Sequence, residues 1–139
     1  TREEPPGGGP VPAVAAGLVR VPEATGTLLL LAADLPLLTR AAVTELRSVL
    51  AAADDHDGVC YLDDDGRRQY LCGAWRTSAL RTALARLAAA HGGRLVGTSL
   101  RALLADLAVV ELRPAGGGPP PWFDCDTTED VRRAEEWIP

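Results

Sequence analysis

The 139-residue sequence predicts an α/β fold built on a mixed sheet, and three observations carry that expectation. Apolar runs that do not alternate, LLLLAA at 28–33 above all, read as strands covered on both faces. They are interleaved with stretches whose apolar residues recur at helical spacing, and alternating strands and helices make layered α/β domains. Two strand-like segments flank Asp-Asp-Asp-Gly, a hairpin signal, so the sheet cannot be wholly parallel. The length fits one domain, residues 1–139, with a single core.

The elements follow in order. Residues 1–10, TREEPPGGGP, are turn-forming. VPAVAAGLVRV at 11–21 places Val11, Val14, Ala15 and Leu18 on one helical face, with Pro12 tolerated in the first turn. PEATG at 22–26 is a turn, and TLLLLAA at 27–33 a strand. LTRAAVTELRSVLAAA at 38–53 is a helix with Thr39 as N-cap and Ala42, Val43, Leu46, Val49 and Leu50 as its apolar face. GVCYL at 58–62 and RQYLCG at 68–73 form the hairpin. A helix over 77–91 presents Leu80, Ala83, Leu84 and Leu87 and stops at His91-Gly92-Gly93. SLRALLADL at 99–107 is a shorter helix capped by Ser99, and LAVVELRP at 107–114 is a strand ended by proline. AGGGPPP at 115–121 is a loop. WFDC at 122–125 reads as a last short strand, and Thr127 or Thr128 caps a closing helix with acids in its first turn.

Charge and composition narrow the function. Net charge is −5 with pI near 5.0, which argues against a general nucleic-acid or anionic-membrane binder. No apolar run reaches the ~18–20 residues of a bilayer span. The N-terminal residues lack the basic and apolar regions of a signal peptide. All 14 basic residues are Arg, as expected of a GC-rich coding sequence. Cys60, Cys72 and Cys125 are odd in number and widely spaced, so they read as reduced thiols of a cytoplasmic protein and neither a disulfide framework nor a zinc site.

Three segments carry chemistry. LLLLAADLP ends a strand on Asp34 and turns at once with Pro36. Ligands of open α/β sheets lie beyond the carboxyl ends of strands, so Asp34 offers a hard oxygen where a phosphate-bound Mg²⁺ would be met. Equally, Asp34 caps the turn. In WFDCDTTED, Asp124 and Asp126 sit two apart at a strand end and share a side if that strand stays extended. Asp126 also reads as an N-cap or turn residue, and Glu129 and Asp130 as compensation of the helix dipole. In GGGPVPAVAAGL, glycines open a helix whose N–H groups can approach a ligand, or they form a flexible terminus. The acidic loops at 54–57 and 63–65 read as solvated turns.

Four segments in register, GGGPVPAVAAGL, LLLLAADLP, DGRRQYLCGAWRTSAL and FDCDTTEDVRRA, resemble the molybdenum cofactor guanylyltransferases, a family of nucleotidyltransferases. The family has a Gly-Pro segment opening a helix, a strand ending in Asp-x-Pro, a hairpin strand like Leu-Cys-Gly before a small-residue helix, and Asn-x-Asn-Thr-Pro-Glu-Asp near its C-terminus. The resemblance implies a three-layer sandwich around a mostly parallel mixed sheet, Rossmann-like. It implies transfer of GMP from Mg-GTP to the phosphate of molybdopterin, with CTP an alternative nucleotide. Asp34 would hold Mg²⁺ and Asp126 would share in metal and catalysis. Asp124 would lie near metal or pterin phosphate, Gly9 and Pro10 near the base, and Glu3 or Glu4 would read guanine.

The family's opening strand and its phosphate loop, Leu-Ala-Gly-Gly then Arg-x-Gly-x-Asp-Lys, do not occur in these residues, which contain no Lys. The expectation is an N-terminally truncated version of the fold that needs that segment for activity, with the edge of LLLLAA open to a partner chain or a second copy. The alternative is a non-catalytic module that binds a pterin, a nucleotide or a partner protein.

Overall fold

The computed structural model describes residues 8–114 and 117–138. Along the chain it forms α1 (Pro10–Leu18), β1 (Thr27–Leu31), α2 (Arg40–Ala52), β2 (Gly58–Leu62), β3 (Arg68–Arg76), α3 (Thr77–Ala90), α4 (Leu100–Leu104), β4 (Val109–Leu112) and α5 (Thr128–Glu135). The four strands make one open, mixed sheet in the order β1-β3-β2-β4. β2 runs antiparallel to β3, with Gly58 opposite Trp75 and a bulge between Cys60 and Tyr61. It runs parallel to β4, with Gly58 opposite Val109.

The chain divides into two compact units, each made from two stretches. The first gathers α1, α3 and α4 from the residues up to Leu28 and from Arg76–Leu107. Gly9 is the N-cap of α1 at φ 101, a left-handed backbone that glycine adopts without a Cβ clash. Pro10 follows where its fixed φ suits the first turn. Val11, Val14 and Leu18 are buried along one face. The helix stops at Leu18 and not at residue 21. The amides of Arg20 and Val21 turn back to the carbonyls of Gly17 and Leu18, and Val21 precedes Pro22, which disfavours helical backbone. The Thr77 amide opens α3 by donating to the Gly26 carbonyl at 3.1 Å, and the Arg81 guanidinium donates to the Val21 carbonyl at 2.8 Å. α3 buries Leu80 and Ala83 and packs against α4, which buries Leu103 and Leu104. Ser99 caps α4 by accepting from the Ala102 amide at 3.0 Å.

The second unit, Leu29–Trp75 with Ala108–Pro139, holds most of the sheet together with α2 and α5. Thr39 caps α2, its hydroxyl accepting from the Ala42 amide at 3.1 Å. Ala42, Leu46 and Leu50 recur every four residues on α2 and pack onto Val59 and Tyr61 of β2 and Cys72 and Ala74 of β3. The Tyr61 hydroxyl donates to a Glu45 carboxylate oxygen at 2.6 Å. On the opposite face of β2 and β3 the glycines have a packing reason: a Cβ on Gly58 would collide with the six-membered ring of Trp75, and one on Gly73 would lie 2.7 Å from the Val59 carbonyl. All five residues of β2 are buried, as a central strand requires.

Two expectations change. β1 is shorter than 27–33 and is not covered on both faces: Leu28, Leu29 and Leu30 are half-buried and Leu31 is 38% exposed. Among the described residues it stands at the end of the sheet, paired along one edge with β3. Residues 122–126 form no strand. Pro119, Pro120 and Pro121 bring no amide donors to a ladder, and the amides of Phe123 and Cys125 bond to the carbonyls of Pro120 and Asp34. Asp124 and Asp126 therefore owe their placement to a loop and not to a strand pleat. α4 is also shorter than 99–107, β4 shorter than 107–114, and β3 runs on to Arg76.

Candidate functional site

Asp34 lies just past β1. The Ala32 amide makes the last strand-like bond, donating to Leu71 at 2.9 Å, after which Ala33 and Asp34 turn. Leu37 is buried and the Leu38 amide closes back on the Leu35 carbonyl at 3.2 Å, so Leu35-Pro36-Leu37 is an anchored corner that leads into α2. The Asp34 side chain is exposed and accepts no hydrogen bond among the described residues; Thr39 supplies the cap of α2.

The loop before α5 is fixed at both ends. On its C-terminal side Thr127 and Asp130 form a reciprocal capping box. The Thr127 hydroxyl accepts from the Asp130 amide at 3.2 Å, and the Asp130 carboxylate accepts from the Thr127 amide at 2.9 Å. The carboxylate also accepts the Thr127 hydroxyl proton at 2.7 Å. These bonds hold the Asp130 carboxyl below its ordinary range: the Thr127 hydroxyl first, then the amides of Thr127 and Asp126, with the Arg133 charge adding to them. The cap is thus Thr127 and not Asp126, whose carboxylate stays exposed.

The two segments meet. The Cys125 amide donates to the Asp34 carbonyl at 3.2 Å, which ties the Asp-Leu-Pro corner to the Asp-Cys-Asp loop. The Cys125 thiol records the crowding. It is held above its ordinary pKa by partial burial and then by the carboxylates of Asp130, Asp34, Asp124 and Asp126. Four carboxylates act on one sulfur, and no cation among the described residues pairs with Asp34, Asp124 or Asp126. Among the described residues no three His, Cys, Asp or Glu side chains form a cage for a metal by themselves. The donor set is one of hard oxygens on two neighbouring loops. It fits Mg²⁺, which takes one or two carboxylates and fills its other positions with water and substrate phosphate.

Gly9 and Pro10 lie in the other unit, at the N-terminus of α1, where no side chain caps the helix. Glu3 and Glu4 fall outside the described residues. The acidic loops act as turn acceptors: Asp57 takes the Ala108 amide, and Asp63 takes the Arg67 amide and the Gln69 side chain.

Sequence reasoning missed a groove of about 550 Å³ beside this site, within the second unit. Arg113 from the end of β4, Asp64 from the hairpin, Trp122 and Phe123 from the loop, and Arg133 and Trp137 from α5 and its end line it. The spacing of Arg133 and Trp137, one helical turn apart, was the available signal.

Among the described residues no helix is long and apolar enough to cross a membrane. The fold is shared with solved structures. The molybdopterin-guanine dinucleotide biosynthesis protein A of Archaeoglobus fulgidus superposes with a TM-score of 0.65 at 21% identity, over 92% of this chain and 62% of that one. The 4-diphosphocytidyl-2C-methyl-D-erythritol synthase of Anaerococcus prevotii DSM 20548 gives 0.65 at 12% identity, over 94% of this chain and 66% of that one. The chain thus spans less than two thirds of the length of either, and at these identities the likeness is one of fold. Comparison with curated proteins gives no match. In sequence, residues 1–110 match the MobA-like NTP transferase domain. The chain belongs to that family of nucleotidyltransferase domains.

Proposed function

We propose that this protein serves Mg²⁺-dependent nucleotidyl transfer, in which GMP passes from GTP to the phosphate of a molybdopterin-like acceptor in the cytoplasm. An acceptor phosphate oxygen bonds to the α-phosphorus of GTP, the bond to the leaving oxygen breaks, and pyrophosphate departs. CTP is the second nucleotide to test. The observation that carries this reading is the bond from the Cys125 amide to the Asp34 carbonyl. It joins the two carboxylate-bearing loops beyond the end of β1, where open α/β sheets meet their ligands.

In this reading Asp34 and Asp126 hold the metal, and Asp124 lies by the acceptor phosphate. The bound metal would neutralise charge on the phosphates, which phosphoryl chemistry requires more than it requires a protein nucleophile. The chain's own contribution is positional: the Cys125 amide ties the Asp-Leu-Pro corner to the loop that the Thr127–Asp130 capping box anchors at the start of α5. Pyrophosphate release is expected to need a Gly-rich, Lys-bearing phosphate loop, a sequence these residues do not contain.

Calorimetric titration with Mg-GTP and Mg-CTP tests the reading. Asp34→Ala is expected to weaken Mg-nucleotide binding at least tenfold, and Asp126→Asn to weaken it several-fold. Binding in Asp34→Ala equal to that of the unaltered protein overturns the metal assignment. Nucleotide and pterin binding without turnover, even when the phosphate loop is supplied, favours the binding-module alternative.

A further inference from the structure

We infer that the edge of β1 left open among the described residues is a self-association surface, where two copies of this chain pair their β1 strands antiparallel about Leu29. The two bonds that frame β1 settle which of its residues face outward. The Gly26 carbonyl accepts from the Thr77 amide at 3.1 Å, and the Ala32 amide donates to the Leu71 carbonyl at 2.9 Å. Advancing from Gly26 to Ala32 on one strand means going back from Thr77 to Leu71 on the other, so β1 and β3 are antiparallel and keep one register at both ends. In such a ladder, alternate residues turn both backbone groups toward the same neighbour. Gly26, Leu28, Leu30 and Ala32 therefore bond to β3. Thr27, Leu29 and Leu31 aim their amides and carbonyls at the open edge.

The two ends of the sheet differ in what guards them. β4, at the other end, spans four residues, carries Glu111 in a 2.7 Å ion pair with Arg68, and runs into Arg113-Pro114. Short length, charge and proline are the devices that keep a sheet edge from pairing. β1, Thr-Leu-Leu-Leu-Leu, holds no charge, proline or glycine, and its Leu31 is exposed. An edge of this kind accepts an added strand. A second copy fits it by symmetry. Antiparallel pairing centred on Leu29 sets Leu29 against its own counterpart, Thr27 against Leu31 and Leu28 against Leu30. Every pair is neutral, and every outward residue meets an outward residue. A shift of one residue would oppose outward groups to inward ones, and a shift of two would leave end pairs unmade. The match of this uncharged edge to itself singles out a second copy over an unrelated strand. The contact is isologous, so it closes at a dimer whose continuous sheet ends on the two guarded β4 edges.

Sedimentation and amide hydrogen exchange test this. The unaltered protein is expected to pass from monomer to dimer over the micromolar range. Exchange at Thr27, Leu29 and Leu31 is expected to slow at least tenfold as the dimer fills, and exchange at Leu28, Leu30 and Ala32, already bonded to β3, to change less. Leu31→Lys, at an exposed position, is expected to weaken dimerisation about tenfold with unchanged circular dichroism, because the two-fold counts the altered pair twice. Adding Thr27→Glu is expected to recover most of that loss, since the register sets residue 27 of one copy against residue 31 of the other. Within one strand those positions lie ~13 Å apart, so the rescue reads the contact between copies. A monomer whose edge amides are already slow would give the edge to another segment of the same chain. That result, a monomer with fast edge amides at every concentration, a dimer without added protection at the three amides, or a double variant no tighter than Leu31→Lys overturns the inference.

Discussion

The amide of Cys125 donates to the carbonyl of Asp34 across 3.2 Å and fastens the loop that precedes α5 to the corner that follows β1. Because the donor is backbone, the identity of the side chain at 125 is secondary. Cys125→Ala is expected to be neutral in stability and in Mg-nucleotide affinity. Cys125→Pro deletes the donor and is expected to cost about 1–3 kcal/mol and to weaken Mg-GTP by tenfold or more. Urea unfolding and calorimetry on the two variants check both halves. Equal affinity in both would disconnect the tether from the site.

The capping box ties stability to acid. Thr127→Ala is expected to cost about 1 kcal/mol in urea unfolding. The Asp130 carboxyl is depressed below its ordinary value of 3.8, so its contribution is present above that pH and is lost as pH falls through the lowered value in the folded protein. Asp130→Asn should therefore lose stability at pH 6 and lose much less relative to the unaltered protein below pH 3. A constant difference across that range refutes the box as its source.

Gly58 sits under the Trp75 ring, with no room for a methyl group. Gly58→Ala is expected to destabilise by about 1–3 kcal/mol through overpacking, and to shift the emission of the buried indole. A variant as stable as the parent, with unchanged Trp75 emission, would mean that the ring moves freely.

Alkali should unfold the protein before it titrates the core. Burial pushes the Cys72 thiol from its ordinary 9.0 up to about 12, and Cys60 from 9.0 to about 11. Burial first, and then the neighbouring Glu45 carboxylate, raises the Tyr61 hydroxyl above its ordinary 10.0. Folded values above unfolded ones mean full stability below about pH 9, with loss as pH rises from there through the folded values. Thermal melts at pH 8, 9.5 and 10.5 should show a progressive fall. Cys72→Ala should flatten part of that slope while lowering stability at pH 8.

Much of the second unit was legible because its signals are local. Thr39 before a stripe of Ala42, Leu46 and Leu50 fixes a helix, and the Asp-Gly between residues 62 and 68 fixes a hairpin. Asp34 was legible as the carboxylate that ends the most apolar run. WFDC misled because aromatic residues favour strands, while the prolines in front of it deny the segment a ladder partner. The half-buried state of β1 was hidden because an all-leucine run looks the same whether one face or two are covered. Arg113, Asp64 and Trp137 share a groove only through tertiary structure, which no spacing along the chain encodes.

The parallel pairing of β2 with β4 has a consequence for how the molecule assembles. The hairpin β2–β3 needs only a short loop to close, but β4 reaches β2 only after α3 and α4 have been made. Each compact unit is likewise interrupted by the other along the chain. A nascent chain emerging from a ribosome therefore cannot complete the first unit before Leu107 is made or the second before the residues that follow Ala108, and Val59 and Tyr61 wait without the neighbour that Val110 and Leu112 supply. The folding rate should be set by that late, long-range closure and not by the helices, and a fragment that stops before Val109 should be the species most prone to aggregate.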